Sequence, residues 1–457
     1  MRPVFWFLLS VAVYVGIVSD AQAMTIEEAI RLAVSTNPIV AEAAANRRAT
    51  DHELQQARGS FLPRLDLKAS VGPEMFDRPG SFLPQNNRKW RTGKEVTLSV
   101  RQILFDGFSS VNSVYRSQAR VDAAALRVLE RSEAVALDAV EAYIDVLRHR
   151  RILGLAADNS TLHRSILGMV EQRFTQGDVG SADRDQATER VAASDVVRDE
   201  VRKSLLEAEA KFRRVVGHDP DRLSAPVGAR LPAKTLSGNL DLIENNQIIK
   251  AALADSDAAR FEYEMSKGAF YPTVALTGSA TVGDDLGGVS GRNNTYEAKV
   301  VASWNVFNGG IDKARKSELA ERWTEKQIHV DVLRRDAREA VERSFAAVTT
   351  VASRIADLER EVAANQRVVV AYAKEYEIGQ RTLLDRLDAE NALFNARIQL
   401  ESARAIYLFA TYQLRATTGG LVAYVGAAVP QEAVASARDD GRLLPGFKLD
   451  LEPLRQD

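Results

Sequence analysis

Chemistry in this chain is confined to a few acidic side chains beside two glycine turns. Asp183 and Asp385 each follow a turn and open a helix, where a carboxylate caps free backbone N–H groups and suits the positive helix end. Asp388 comes three positions after Asp385, so both carboxylates share one helix face, a placement that serves capping or the attraction of cations. The five histidines, His52, His149, His163, His218 and His329, form no H-E-x-x-H or comparable ligand spacing, and no G-x-S-x-G or phosphate-binding loop occurs. The expectation is a protein that is not an enzyme and needs no cofactor or metal.

The segments carrying these acids are copies of each other. Residues 173–187, RFTQGDVGSADRDQA, return as 375–389, EYEIGQRTLLDRLDA, and residues 104–107, LFDG, return as 306–309, VFNG, at one offset of 202 positions. Gly107 and Gly177, like Gly309 and Gly379, stand 70 positions apart with no proline between them. Each copy therefore holds one very long helix, roughly 100 Å at 1.5 Å per residue, that ends in a tip turn at Gly177 or Gly379. Val341, Val348, Ile355, Val362, Val369 and Tyr376 recur every seven residues; the matching positions are Ala139, Val146, Leu153, Ser160, Leu167 and Phe174, of which only Ser160 breaks the seam. A sustained seven-residue repeat implies left-handed coiled-coil packing. Return helices over 183–216 and 385–418 are half as long, and stacking each end to end with a shorter leading helix, 25–58 or 240–267, gives a second strut of full height. Asn37-Pro38 marks a turn or kink in the first leading helix.

Both leading helices stop at the spacing G-x-F-x-P, with Gly59 and Pro63 in the first copy and Gly268 and Pro272 in the second; glycine ends the helix and proline sets an extended path. The period then changes to two. Leu65, Leu67, Ala69 and Val71, then Val96, Leu98 and Val100, alternate with polar residues. So do Val274, Leu276, Gly278, Ala280 and Val282, and then Tyr296, Ala298, Val300, Ala302, Trp304 and Val306. These are strands in two hairpins, with loops at 72–94 and 283–294. Four such strands cannot close a barrel, so an apolar-out, polar-in wall requires several chains.

The domain reading is a signal peptide at 1–23, a first repeat at 24–218, a connector at 219–239, a second repeat at 240–420 and a loosely attached tail at 421–457. Arg2, an apolar run over 4–18 and Ala21-Gln-Ala23 have the form of a secretory signal, and the run is short of the ~20 residues of a spanning helix. The chain has no cysteine, which excludes disulfides and a lipid anchor on cysteine, and its net charge of −2 excludes the broad basic field of a nucleic-acid binder.

These residues resemble the TolC family of outer-membrane efflux and secretion ducts. The carriers are the two G-x-F-x-P corners, LFDG with VFNG, and above all residues 376–390, YEIGQRTLLDRLDAE. The resemblance covers about 24–420. It implies a mainly α protein with a small β part: a homotrimer in which a coiled-coil helical barrel crosses the periplasm and continues into a transmembrane β-barrel made of four strands from each chain. It further implies a cell outer-membrane location in contact with lipid, and a periplasmic adaptor and an inner-membrane transporter as partners. Tyr376 and Arg381 match the family's periplasmic gate residues, bonded to the neighbouring coil; Asp183 matches the carboxylate partner, and Asp385 and Asp388 match the constriction ring. Mutual repulsion in such a ring would raise some of its pKa values.

Ala182 stands where a hydroxyl is common, Asp185 adds an acid, and Arg184 and Arg386 occupy positions usually apolar. Arg386, about 100° round the helix from Asp385, is expected to face the neighbouring helix. Protein secretion through an ABC exporter is the expected role, with small-molecule efflux as the alternative. A trimeric coiled-coil stalk, the rival from another class, would explain the heptads but not the hairpins.

Overall fold

The computed structural model describes residues 23–75, 77 and 88–439, so the expected signal segment lies, apart from Ala23, outside the described residues. Thr25 starts α1 (Ile26–Thr36) with a capping box: its hydroxyl accepts from the Glu28 N–H while the Glu28 carboxylate accepts from its own. Asn37 is extended and Pro38 is the first residue of α2 (Pro38–Gly59), so the kink read at Asn37-Pro38 is a full helix boundary. Two long helices follow, α3 (Ser109–Gln176, 68 residues) and α7 (Ile311–Glu377, 67 residues), each followed by a return helix, α4 (Ser181–Val216) or α8 (Leu383–Thr417).

The end-to-end stacking expected from the lengths is present, and its fastener is an asparagine. Asn37 Oδ1 accepts from the Ile39 N–H at 3.0 Å, capping α2, while its Nδ2 donates to the Val215 carbonyl in the last turn of α4 at 3.0 Å. The second copy repeats the device. Asn246 caps α6 (Gln247–Ser266) by accepting from the Ile248 N–H at 2.8 Å and donates to the Thr417 carbonyl of α8 at 2.9 Å. One amide thus satisfies an unpaired donor of one helix and an unpaired acceptor of another. The second leading helix begins at Gln247 rather than near 240, because α5 (Leu236–Leu240) and a 3-10 turn at Ile243–Asn245 occupy the approach to the joint.

Four strands, β1 (Arg64–Met75), β2 (Trp90–Phe105), β3 (Thr273–Asp284) and β4 (Arg292–Ser303), form one antiparallel sheet in chain order. Its register lines up like with like. Leu67, Leu98, Ala280 and Tyr296 make one row across all four strands, and Leu65, Val100, Gly278 and Ala298 another. Asp66, Ser99, Ser279 and Glu297 make a polar row on the opposite face, as do Lys68, Thr97, Thr281 and Thr295, where the Thr97 and Thr281 hydroxyls are 2.9 Å apart. The first hairpin is longer than expected, taking in residues placed in the 72–94 loop, whereas β4 stops at Ser303 and the alternation at Trp304 and Val306 lies beyond it.

α2 ends at Gly59, and α6 ends at Ser266 in a 3-10 turn, Lys267–Phe270, that contains Gly268. Neither Gly59 nor Gly268 has a positive φ, so neither ends its helix as a left-handed cap. Gly268 is buried, and a Cβ there would collide with Ser109 and the Asp106 carbonyl; facing it is Gly107, at φ +66°. The residue at 268 is glycine because the strand-to-helix turn of the first copy packs on it. Gly59 has open space around it, and Pro63 and Pro272 directly precede β1 and β3.

The seven-residue seam is covered at Ala139, Val146, Val341, Val348, Val369 and Tyr376, and half-covered at Leu153, Leu167, Phe174, Ile355 and Val362. Ser160, the break in the pattern, is also fully buried and donates to Asp195 Oδ1 at 2.6 Å, an oxygen that Arg164 shares at 2.7 Å. The described part of the tail is docked, not loose. Leu421 of α9 (Leu421–Tyr424) is fully buried, the Glu133 carboxylate accepts from the Leu421 and Val422 N–H groups at 3.1 and 3.2 Å, and buried Asp122 accepts from Ala437 N–H and Arg438 Nε at 2.7 Å. No helix among the described residues is long and apolar enough to cross a membrane.

Candidate functional site: the paired helix tips

Both tips turn on a glycine in the left-handed region. At the first, Gly177 (φ +82°) sends its N–H to Phe174 and Asp178 sends its own to Arg173; at the second, Gly379 (φ +77°) and Gln380 bond back to Tyr376 and Glu375. The tips share one core in which Tyr376, Leu383 and Leu387 of the second copy pack with Ile166, Val170 and Ala187 of the first. The structure thereby brings the two tips, about two hundred positions apart in the chain, into one core; of the expected gate and ring residues only Tyr376 lies in it.

Their individual contacts differ from residue to residue. Tyr376 is 5 % exposed, with the guanidinium carbons of Arg173 and Arg386 at 5.1 and 5.5 Å from its ring centre, and its buried hydroxyl has no hydrogen-bond partner among the described residues. Arg381 Nε donates to Glu375 Oε2 at 2.8 Å and its guanidinium lies 4.1 Å over the Tyr372 ring; the Glu375 bond pushes its pKa further up. Within one chain Arg381 therefore points to Glu375. Asp183 makes no hydrogen bond or ion pair among the described residues and does not cap α4, whose N-cap is Gly180.

Asp385 does serve as a helix cap. It is the third residue of α8 and forms a capping box with Thr382: the Thr382 hydroxyl accepts from the Asp385 N–H at 3.2 Å, and Asp385 Oδ2 accepts from the Thr382 N–H at 3.2 Å and from its hydroxyl at 2.7 Å. Within one chain the hydroxyl bond, then the backbone bond, hold its carboxyl below the usual carboxylate range. Asp388 meets Arg190 of α4, Nη2 to Oδ1 3.2 Å. Arg386 is 8 % exposed and turns inward, away from the two aspartates, with Nη1 3.6 Å from the Met169 sulfur. Arg184 lies over the Phe174 ring at 4.8 Å and pairs with Asp185 at 3.3 Å.

Sequence reasoning missed Arg190, Arg173, Glu375 and the Thr382 cap. The T-x-x-D spacing at 382–385 carried the last signal. Arg190 has no counterpart rule: its contact with Asp388 joins positions that are not equivalent in the two copies.

Residues 29–218 and 241–420 match the family described as outer membrane efflux protein. The chain belongs to that family. Among its relatives, the outer membrane efflux protein BepC of Brucella suis biovar 1 is 27 % identical over 91 % of this chain and 89 % of its own length. The alkaline protease secretion protein AprF of Pseudomonas aeruginosa is 25 % identical over 88 % of this chain and 86 % of its own. The CmeC outer membrane channel of Campylobacter jejuni has the same fold, with a TM-score of 0.78, 14 % identity and coverage of 92 % of this chain and 90 % of that one. The protein is thus a TolC-family channel of the outer membrane, spanning the periplasm, and the family is one of ducts rather than enzymes.

Proposed function

We propose that three copies of this chain assemble into one exit duct, used for protein secretion by an ABC exporter with a periplasmic adaptor. The sheet carries the reading. Its apolar and polar rows run unbroken across four strands, its outer strands β1 and β4 are unpaired on their far edges among the described residues, and Leu65, Leu67, Val71, Tyr296 and Val300 are each more than 60 % exposed in a single chain. A lone sheet with open edges and a bare apolar face is a piece of a wall that further copies and lipid complete. Strands of 12 to 16 residues are long enough to cross a bilayer on a tilt.

At the other end the tips form the gate. Tyr376, Arg381 and Asp183 hold the closed state, the last through a neighbouring copy, and Asp385 and Asp388 line the constriction until the adaptor and transporter dock. The alkaline protease secretion relative and the string at 380–394 support protein cargo. Small-molecule efflux is the second reading, supported by the efflux relative at 27 % identity. A null strain complemented with the chain separates them: restored protein in the medium with unchanged dye retention supports secretion, and the converse supports efflux. A monomer in detergent, or a silent planar bilayer, would remove the duct itself.

A further inference from the structure

The charges around the two tip aspartates do not cancel evenly. Arg381 is occupied by Glu375 and Tyr372, Arg184 by Phe174 and Asp185, and Arg386 is turned into the core against Tyr376 and Met169. Arg190 reaches from α4 across to α8 and ends on Asp388 at 3.2 Å, with the neighbouring Glu189 carboxylate 3.7 Å from its Nε, while Asp385 has no ion pair within 4 Å among the described residues. His163 is 5 % exposed; burial first, then the Arg190 charge, hold its pKa below the usual histidine value. An aspartate with a guanidinium 3.2 Å away presents a dipole to a passing ion, whereas Asp385, bonded to a hydroxyl and an N–H and feeling Arg381 only through space, keeps most of its negative charge.

We propose that Arg190 is a specificity-determining residue of this duct: by holding Asp388 it leaves Asp385 as the carboxylate that sets the cation preference of the closed tip, and Asp388 joins it only when α4 and α8 part. This rests on the reading of the tip as the constriction. It makes the closed tip less cation-selective than its count of aspartates suggests, and it makes selectivity rise on opening.

The test is the reversal potential of the purified full-length protein in planar bilayers under a potassium chloride gradient. Arg190→Gln should raise the cation-to-anion permeability ratio about twofold, since it doubles the unpaired carboxylates at the opening. Arg190→Lys should keep the wild-type ratio. Adding Asp388→Asn to Arg190→Gln should remove the whole gain and restore the wild-type ratio. An unchanged ratio in Arg190→Gln, even with higher conductance, would mean that Arg190 only braces the tip, and would overturn the proposal. So would an Arg190→Gln gain that survives the added Asp388→Asn. If Asp385→Asn leaves the wild-type ratio unchanged, the constriction reading fails and this proposal with it; a response to Asp385→Asn without one to Arg190→Gln sinks the proposal alone.

Discussion

The first tip and the second tip are the same turn with different fastenings. Each ends a long helix on a left-handed glycine and begins a return helix a few residues later. In the second, Tyr376 is buried between two guanidinium groups, Thr382 and Asp385 cap the return helix, and Arg381 is locked to Glu375. In the first, Phe174 is half-buried under a single arginine, the return helix starts at Gly180 with no side-chain cap, and Asp183 is unpaired among the described residues. Duplication supplied the scaffold twice, and later divergence put the fastened chemistry on one side. The second tip is built to be held, while the first offers an uncommitted acid to something outside the chain.

The largest expected effect comes from deleting the two equivalent rings. Tyr376→Ala removes a buried ring from the shared core and should destabilise by about 3–5 kcal/mol, while Phe174→Ala should cost less than half of that. Denaturant midpoints of the two variants check the contrast, and equal losses would break it. Next in size is the free acid. If Asp183 partners Arg381 of a neighbouring copy, Arg381→Ser and Asp183→Ala should each raise bilayer conductance and the double variant should add nothing, as two ends of one bond are not additive. If Glu375→Gln alone reproduces Arg381→Ser and Asp183→Ala has no effect, the clasp is internal to one chain. A smaller loss, about 1 kcal/mol, is expected for Thr382→Ala, because Thr382 caps through its side chain, and denaturant midpoints measure it.

The smallest effect is a shift in pH. Asp385 has its pKa depressed by Thr382, so its charged form is favoured in the folded protein; the stability this contributes is present above the unfolded pKa and is lost as pH falls through the lower folded value. Cation preference should therefore survive below the ordinary carboxylate range, and Thr382→Ala should move its loss to higher pH. Reversal potentials across an acid series measure this directly, and coincident titrations of the variant and the wild type would contradict it.

Periodicity made the long helices, the seam and the strands legible, because burial along one face leaves a repeating pattern that survives divergence. The charges at the tips were less so. Arg386 was expected to face the neighbouring helix; its seat against Tyr376 and Met169 depends on a helix two hundred residues away. Arg190 meets Asp388 through a crossing of helices that no spacing encodes. The tail looked loose because its short apolar groups have no period, yet they pack on α3 through backbone bonds to Glu133 and Asp122. Gly268 read as a helix stop and is a point of close approach instead, since a glycine's reason is the neighbour it admits.

The asparagine joints bear on how long such a duct can be. Each long helix is one continuous rod, while the strut beside it is two rods butted together at Asn37 or Asn246. A change of span on the tip side must add equal turns to a long helix and its return helix, and a change on the strand side must do so for a long helix and its leading helix. The joint decouples the two adjustments. The half of the wall that meets the tips can be lengthened, shortened or retwisted in evolution while the half that enters the sheet keeps its register, and the amide that bridges them is the hinge pin between two independently adjustable lengths.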